Sequence, residues 1–241
     1  MKAPQGLLAD VVRFSWVDGP GNRFVVFLQG CNLNCLACHN PQTIPRHTPR
    51  ARLVEVDEVL DEVRPLAPYL AGMTVSGGEA TLQAEFVRAM FTTLRADPDL
   101  AGLTRFIDSN GAAPAAAWTS LLPVTDGVML DLKALDPALH EHLTGSCNAQ
   151  VLDAIRQVAA AGKLYEVRLL LIPGINDDHP TLTQTVDWLL DLDPQMRIKV
   201  IGFRQHGVRA EARHWPEPDA HRLDRYRTQL VDLGVRELEV R

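Results

Sequence analysis

The residues best suited to chemistry are three cysteines within one short segment, Cys31, Cys35 and Cys38, in the pattern C-x3-C-x2-C. Soft thiolates at this spacing can surround one compact thiophilic metal centre. An iron–sulfur cluster of the cubane type normally takes four cysteine ligands, and the fourth cysteine, Cys147, lies far along the chain. We expect Cys147 not to be a ligand, which leaves one iron with an open coordination position. Because catalytic metal centres keep such a position, the spacing favours a catalytic cluster.

Two other interpretations of the cysteines stay open. The three cysteines and His39 could form a structural zinc site, although His39 adjoins Cys38 and would need a strained backbone to share its metal. The cysteines could also only pack, although a polar loop rich in asparagine is poor core material. A disulfide framework is excluded, because clustered cysteines in a reducing cytoplasm are more often metal ligands.

Two glycine-rich segments flank predicted strands. In Ser76-Gly77-Gly78-Glu79 the glycines allow the backbone to approach a ligand closely, and Glu79 can meet an ammonium group. The alternative is a plain strand-to-helix turn. Asp18-Gly19-Pro20-Gly21 precedes the strand that leads to the cysteines, and on its own it predicts a β-turn with proline in the second position.

Charged side chains follow other predicted strands. Asp108 and Ser109 end one strand with a carboxylate and a hydroxyl, whereas Asp131 and Lys133 end the next and lie on one face because they are two residues apart. The alternative for Asp131 and Lys133 is an ordinary solvated ion pair that contributes little to stability.

The composition is that of a globular protein. The 241 residues are 46% hydrophobic and 22% charged, with a net charge of −6, so the surface as a whole favours neither nucleic acid nor an anionic membrane. The longest apolar runs are far shorter than a membrane span. The first five residues carry no signal-peptide pattern, so we expect a cytoplasmic protein.

Short apolar runs alternate with amphipathic stretches along the chain, which predicts strands and helices in turn. The predicted strands are Leu7–Arg13, Arg23–Leu28, Met73–Ser76, Thr104–Asp108, Val128–Leu132, Glu166–Ile172 and Arg197–Phe203. The predicted helices are Val56–Tyr69, Ala84–Leu94, Val151–Ala161, Thr181–Leu192 and Asp219–Leu233. We expect Pro41–Arg52 to be a mobile surface loop.

The alternation predicts an α/β fold with parallel strands joined by right-handed crossovers. About six such units fit the chain, so we expect a partial (β/α)6 barrel with its ligand site at the carboxyl ends of the strands. We expect one domain over residues 1–241, with a core at about 7–207 and a C-terminal helix and strand within 216–241.

The motifs together resemble a known family. The three-cysteine loop is similar to the signature of the radical S-adenosylmethionine (SAM) superfamily. The matching segments run from residue 7 to about 207 in the family's order, and the set resembles the activating enzymes of glycyl radical enzymes. The segments are Val17–Arg23, Phe27–Cys31, Cys38–Pro41, Ser76–Ala80, Asp108–Gly111, Met129–Lys133 and Ile172–Gly174. The segment Phe203–Val208 is most similar to the YjjW-type branch of these activases, and the fold implied is the partial barrel of the radical SAM type.

The resemblance implies roles for individual residues. Cys31, Cys35 and Cys38 would hold a 4Fe-4S cluster, and SAM would contact Ser76, Gly77, Gly78, Glu79, Asp108, Ser109, Lys133, Arg168 and His206. The SAM amino group would contact the Gly-Gly-Glu segment, and its carboxylate would contact Lys133 and Arg168. Related activases have a histidine two positions before His206, where this chain has Arg204, so either His206 contacts the ribose or that contact is absent. Asp18 would lie close to the substrate glycine. Asp108, Asp131 and the carbonyl near Met129 resemble a monovalent-cation site.

The activity implied is reductive cleavage of SAM, after which a deoxyadenosyl radical takes hydrogen from a backbone glycine of a partner glycyl radical enzyme. YjjW-type activases carry a cysteine-rich insertion between the cluster loop and the Gly-Gly-Glu segment. Here 37 residues separate Cys38 from Ser76 and none is a cysteine, so we expect one cluster and a reduced flavodoxin or ferredoxin as electron donor. We also expect a monomer. Ala37 stands where the superfamily often has an aromatic residue beside the adenine. The alternatives are a radical SAM enzyme for a small molecule and a non-catalytic iron–sulfur or zinc module.

Overall fold

The computed structural model describes residues 4–241. In that range it has nine strands: β1 Gln5–Ser15, β2 Arg23–Leu28, β3 Arg52–Glu55, β4 Gly72–Gly77, β5 Thr104–Ser109, β6 Gly127–Asp131, β7 Leu164–Leu171, β8 Arg197–Gly202 and β9 Glu237–Val240. It has seven α-helices: α1 Val56–Val63, α2 Ala84–Ala96, α3 Ala115–Leu121, α4 Pro137–Thr144, α5 Ala149–Ala160, α6 His179–Leu192 and α7 Ala220–Asp232. The fold class is α/β with mostly parallel strands, as predicted.

The chain divides into two compact units. The first comprises the described residues through Asn32 together with Gln42–Ser109 and Ala113–Met129. The second comprises Leu33–Pro41, Asn110–Ala112 and Leu130–Arg241. The division falls within β6 and within the cysteine motif.

In the first unit the strand order is β3-β1-β2-β4-β5. β2, β4 and β5 are parallel, with Arg23 opposite Gly72 and Gly72 opposite Thr104. β1 is antiparallel to β2, because the connection between them is too short for a crossover. The buried strand residues and the apolar face of α2 form the core of this unit.

The candidate site residues on β4 and β5 of the first unit lie on one face of these parallel strands. Side chains two residues apart on a strand share a face. On β4 that face presents Thr74 and then Ser76, and on β5 it presents Phe106 and then Asp108, because Thr74 is paired with Phe106. Polar groups therefore lie toward the carboxyl ends of the strands, where the sequence predicts the ligand site.

In the second unit β7, β8 and β9 are parallel, with Arg168 opposite Lys199. An apolar cluster packs beside them and includes residues from the cysteine loop, from α4 and from the segment after β8. Its buried members are Ala37, Ala134, Leu143, Ile172, Phe203, Val208, Ala212 and Trp215. The loop that carries Cys35 and Cys38 therefore packs against this buried apolar cluster.

Several predicted boundaries are wrong for identifiable reasons. Helix α1 ends at Val63, and Arg64–Tyr69 is a 3-10 segment instead, because prolines at 65 and 68 cannot donate helical hydrogen bonds. The strand β3 and the helices α3 and α4 were not predicted. α3 begins with three alanines and shows no apolar period. Among residues 4–241 no helix is long and apolar enough to cross a bilayer.

Candidate functional site

In the first unit, the segment that leads to Cys31 is fixed on both sides by backbone and side-chain hydrogen bonds. The backbone amides of Gly30 and Cys31 donate to the carbonyls of Thr43 and Ile44 at 2.8 and 3.0 Å. The buried Gln29 donates to the carbonyls of Gln42 and Pro45. The first part of the loop expected to be mobile, Pro41–Arg52, is therefore bonded to the cysteine segment.

The glycine pair Gly77 and Gly78 is required by a close approach of two backbones. A Cβ at Gly77 would lie 2.2 Å from the carbonyl oxygen of Leu28, and one at Gly78 would lie 2.3 Å from that of Gly30. Gly77 also has a φ of +121°, which favours glycine. Both glycines thus allow close approach of the segment from the end of β2 to Cys31, and their predicted approach to a ligand stays a prediction.

Glu79 is almost fully buried, and its carboxylate is a hydrogen-bond acceptor for several groups. Its Oε1 accepts from the Thr81 amide at 2.9 Å, the Thr81 hydroxyl at 2.6 Å and the Ser109 hydroxyl at 2.7 Å. Beside it, the Ser76 hydroxyl donates to Asp108 Oδ2 at 2.9 Å. The structure thus brings four predicted SAM-facing residues together: Ser76, Glu79, Asp108 and Ser109.

Asp18 is not at the carboxyl ends of the strands. It precedes β2 and lies toward the amino ends of β2 and β4, where its carbonyl accepts from the Thr74 hydroxyl at 2.7 Å. Its carboxylate accepts from the buried Ser15 hydroxyl. Thr74 is two residues before Ser76, so the Asp18 backbone is about 7 Å along the strand from Ser76, on the same face.

In the second unit, Cys35 and Cys38 lie partly buried in the motif loop. Burial raises the pKa of the Cys35 thiol to about 11, with Lys133 acting against the shift. Burial also raises the pKa of Cys38, opposed by the Asn40 amide and Lys133. Lys133 therefore favours deprotonation of both thiols, and Arg209 adds to this at Cys38. Metal ligation requires that deprotonation.

Lys133 and Asp131 form a partly buried pair rather than a solvated one. Their Nζ–Oδ2 distance is 2.8 Å, and the side chains are 19% and 26% exposed. Burial acts to lower the pKa of Lys133, but Asp131 and Cys35 outweigh it, so that pKa lies above its usual value. Lys133 is accordingly a fixed cation beside the motif loop.

Contacts from elsewhere in the second unit hold the motif loop. The backbone amides of Asn34 and Leu36 donate to carbonyls of α4, and the Arg209 guanidinium donates to the Asn34 carbonyl at 3.0 Å. His39 Nε2 lies 3.1 Å from the Arg204 carbonyl, and its ring stacks on Phe203. Sequence reasoning missed Arg209, since nothing local marks it as a partner of the motif.

Arg168 is part of a buried ionic group that sequence reasoning also missed. Its Nε donates to Glu166 Oε1 at 2.6 Å, and Lys199 Nζ lies 3.9 Å from the same oxygen. All three side chains are less than 9% exposed. The signal was available, because Glu166 and Arg168 are two residues apart on a strand and therefore share a face.

The other predicted residues are divided between the two units. Met129 is fully buried in β6 and belongs to the first unit. His206 and Arg204 are both exposed after β8, and Arg204 pairs with Glu217 at 3.2 Å. Cys147 is exposed.

The implied ligands do not form a preassembled metal-binding group. Across residues 4–241, no set of three or more histidine, cysteine, aspartate or glutamate side chains stands in an arrangement that could hold a metal ion. The cluster assignment accordingly depends on the motif spacing and on the soft thiol donors.

Comparisons with known proteins agree with the motif. The model of the radical SAM superfamily matches residues 25–185. The pyruvate formate-lyase-activating enzyme of Staphylococcus epidermidis is 36% identical over 214 residues, which cover 85% of this chain and 83% of that enzyme.

Solved structures share the fold. A domain of pyruvate-formate lyase-activating enzyme from Bacteroides vulgatus superposes with a TM-score of 0.57 at 24% identity, covering 69% of this chain and 96% of that domain. QueE from Escherichia coli superposes with a TM-score of 0.62 at 13% identity, covering 98% of this chain and 95% of QueE. The expected α/β fold of the radical SAM type is confirmed. The chain belongs to the radical SAM superfamily and, within it, to the family of glycyl-radical-enzyme activating enzymes that includes pyruvate formate-lyase-activating enzyme.

Proposed function

We propose that this activase abstracts a hydrogen atom from a backbone glycine of a partner glycyl radical enzyme, and that the partner is of the pyruvate formate-lyase type. The observation that carries the proposal is the placement of the Asp18 turn and the Ser76–Asp108 pair on one sheet face, one two-residue step apart. Such a face offers one surface for SAM and an adjoining surface for a polypeptide substrate.

Access for a macromolecule supports the same proposal. Trp16 and Val17, which lead directly into Asp18, are 72% and 52% exposed. Large exposed apolar side chains are common at protein–protein contact sites. A polypeptide partner can therefore reach the Asp18 turn without rearrangement of the core of this unit.

The cysteine donors fit the cluster that the family implies. Cys31, Cys35 and Cys38 are soft donors, and Lys133 compensates negative charge that ligation leaves on two of them. When bound, the 4Fe-4S cluster supplies the single electron that cleaves SAM. The protein's task is to hold the ligands, orient SAM and admit the substrate glycine.

We assign the SAM contacts residue by residue. Glu79 accepts hydrogen bonds from the SAM ammonium. The other polar groups on that side of SAM contact Ser76, Asp108 and Ser109. Gly77 and Gly78 leave space for SAM because they have no side chains. Lys133 and Arg168 meet the SAM carboxylate, because both are cations that neighbouring carboxylates hold in place. His206 contacts the ribose.

Three further assignments belong to this proposal. Asp108, Asp131 and the Met129 carbonyl bind a monovalent cation. A reduced flavodoxin or ferredoxin supplies the electron, because the chain lacks cysteines for a second cluster. The protein acts as a single-domain monomer in the cytoplasm, where thiol ligands stay reduced. The YjjW-type branch remains its predicted subfamily.

The test is an anaerobic assay with protein reconstituted with iron and sulfide. It is mixed with SAM, dithionite and pyruvate formate-lyase, and the glycyl radical is followed by electron paramagnetic resonance while 5′-deoxyadenosine is quantified. We expect a protein radical and about one deoxyadenosine for each radical formed. A partner with alanine at the target glycine is the matched control and should give no radical.

The second candidate function, action on a small molecule, makes the opposite prediction. It requires many deoxyadenosine molecules for each enzyme, with a metabolite present and no protein radical. Repeated silence with glycyl radical enzymes, together with such turnover, would replace the first proposal by the second. Absence of any deoxyadenosine would favour a non-catalytic metal module.

A further inference from the structure

Arg23, the first residue of β2, is a fully buried arginine whose guanidinium is bound from several directions. Its Nε donates to the Thr74 hydroxyl at 2.6 Å, and its Nη2 donates to the Met73 carbonyl at 2.6 Å. The Thr104 hydroxyl accepts from Nη1 at 2.9 Å. The guanidinium carbon also lies 4.5 Å from the centre of the Phe106 ring. The side chain therefore joins β2, β4 and β5 on one face.

The same side chain fixes the Asp18–Gly21 turn. Nη1 donates to the Pro20 carbonyl at 3.1 Å. The Thr74 hydroxyl, which accepts from Arg23, donates in turn to the Asp18 carbonyl at 2.7 Å. Two carbonyls of one turn are thus connected to one buried cation, the first through a hydroxyl and the second directly.

The space around Arg23 is shaped for this contact. A Cβ at Gly19 would lie 2.7 Å from Arg23 Cδ, and Gly19 has a φ of +129°. A Cβ at Gly72 would lie 2.7 Å from Arg23 Nη2. Glycine at both positions leaves room for the Arg23 side chain between the turn and the strands, where a Cβ would displace it.

Stability alone is a weak reason for such an arrangement. A buried charge is costly to desolvate, and apolar residues of similar volume are often as stabilising. Buried polar networks that are fully satisfied do fix one conformation of the backbone. The group that is fixed here is the turn that adjoins Ser76 and Asp108.

We propose that Arg23 and Thr74 are positioning residues for the substrate polypeptide: they hold the Asp18–Gly21 turn at a fixed height on the sheet face below Ser76. The partner's glycine segment then contacts this turn when it binds. This inference rests on the proposed function, because it assigns the turn a polypeptide substrate.

The test compares Thr74→Val with Thr125→Val. Both remove a buried threonine hydroxyl at constant volume, but Thr125 donates to the Leu121 carbonyl, away from the turn. Three quantities are measured on cluster-loaded protein. They are deoxyadenosine release from SAM with dithionite but without the partner, the KM for pyruvate formate-lyase in radical formation, and amide hydrogen exchange of residues 16–22.

We expect Thr74→Val to release deoxyadenosine at a rate within about twofold of wild type. Its KM for the partner should rise about tenfold or more, with faster exchange in the turn. Thr74→Ser restores the hydroxyl and should recover the wild-type KM. If Thr74→Val does not fold, Gly19→Ala gives the same test, since its Cβ would push the turn away from Arg23.

Two results would overturn the inference. One is a KM and an exchange rate equal to those of Thr125→Val, since the bonds to the turn would then be irrelevant. The other is a proportional fall in partner-free cleavage and radical formation, which indicates a general structural role. A wild-type protein that cleaves SAM but forms no radical instead overturns the proposed function, and the inference with it.

Discussion

Replacement of Glu79 by glutamine separates the part that this carboxylate plays in folding from its proposed part in SAM binding. Glutamine keeps an oxygen that can accept from the Thr81 and Ser109 donors, so the three hydrogen bonds that Oε1 accepts can persist. What is lost is the charge. A hydrogen bond to a charged group contributes about 1.5–3 kcal/mol against about 1 kcal/mol for a neutral one, so we expect to lose about 0.5–2 kcal/mol of stability for each of the three bonds.

In the proposed contact, the same loss of charge weakens the attraction to the SAM ammonium. If the contact loses about 1.4–3 kcal/mol, the dissociation constant of SAM rises about 10- to 100-fold. The assay is anaerobic equilibrium dialysis of labelled SAM with cluster-loaded protein, beside urea unfolding of the same samples.

Two further variants complete this test. Glu79→Ala removes the acceptor of three donated bonds, and at about 1–3 kcal/mol for each abandoned donor group it should unfold far more readily than Glu79→Gln. Thr81→Val removes one donor and keeps the carboxylate, so it should lose about 1 kcal/mol of stability and bind SAM normally. Wild-type SAM affinity in a folded Glu79→Gln protein would refute the contact between the carboxylate and the ammonium.

Three other changes have distinct expected outcomes. Cys35→Ser should abolish the visible absorbance of the reconstituted cluster, whereas Cys147→Ser should retain it together with deoxyadenosine release; equal loss in both would contradict the ligand assignment. Glu166→Gln should reduce the unfolding free energy by about 2–4 kcal/mol, because two buried cations lose a shared anion, and the half-exposed Glu239→Gln should cost under about 1 kcal/mol in the same urea titration. Asp178→Ala removes the N-cap of α6 and should cost about 1 kcal/mol at pH 7. Hydrogen bonds hold the pKa of Asp178 below its usual value, so its contribution is present above about pH 4 and is lost as the pH falls through the lower folded pKa; a difference between wild type and variant that does not shrink in acid would contradict this.

Local patterns were sufficient to predict most of the elements. The strand Arg23–Leu28 was predicted with both of its ends, since it is an unbroken apolar run between polar turns. Elements without a clear period were missed. β3 has four residues with only Val54 buried, and α4 has only eight residues, although it starts at a proline and ends before Gly145 in the left-handed conformation.

The candidate site was predictable where a motif itself sets the chemistry. The residues Ser76, Glu79, Asp108 and Ser109 follow adjacent parallel strands, and parallel strands bring their carboxyl ends to one edge. The hydrogen bonds that join these residues confirm that they meet. The reason for the glycine pair was not predictable, because a glycine in a sequence does not show whether a ligand or another strand approaches it.

Arg23 and Arg168 are both buried charges, but they differ in what the local sequence shows. The spacing of Glu166 and Arg168 marks that pair, whereas nothing local marks the partners of Arg23. Each is an arginine on a strand, a position that sequence reasoning treats as a surface residue or as a ligand contact. In the structure each is less than 9% exposed, and partners distant in sequence hold Arg23, with Thr104 81 positions away. Burial of an arginine is tolerated only when its donors find acceptors, and those acceptors are assembled by the tertiary fold. A strand arginine followed by glycine-rich positions on neighbouring strands is therefore the pattern to examine in this family, since Gly72 makes room for Arg23 as much as Thr74 binds it.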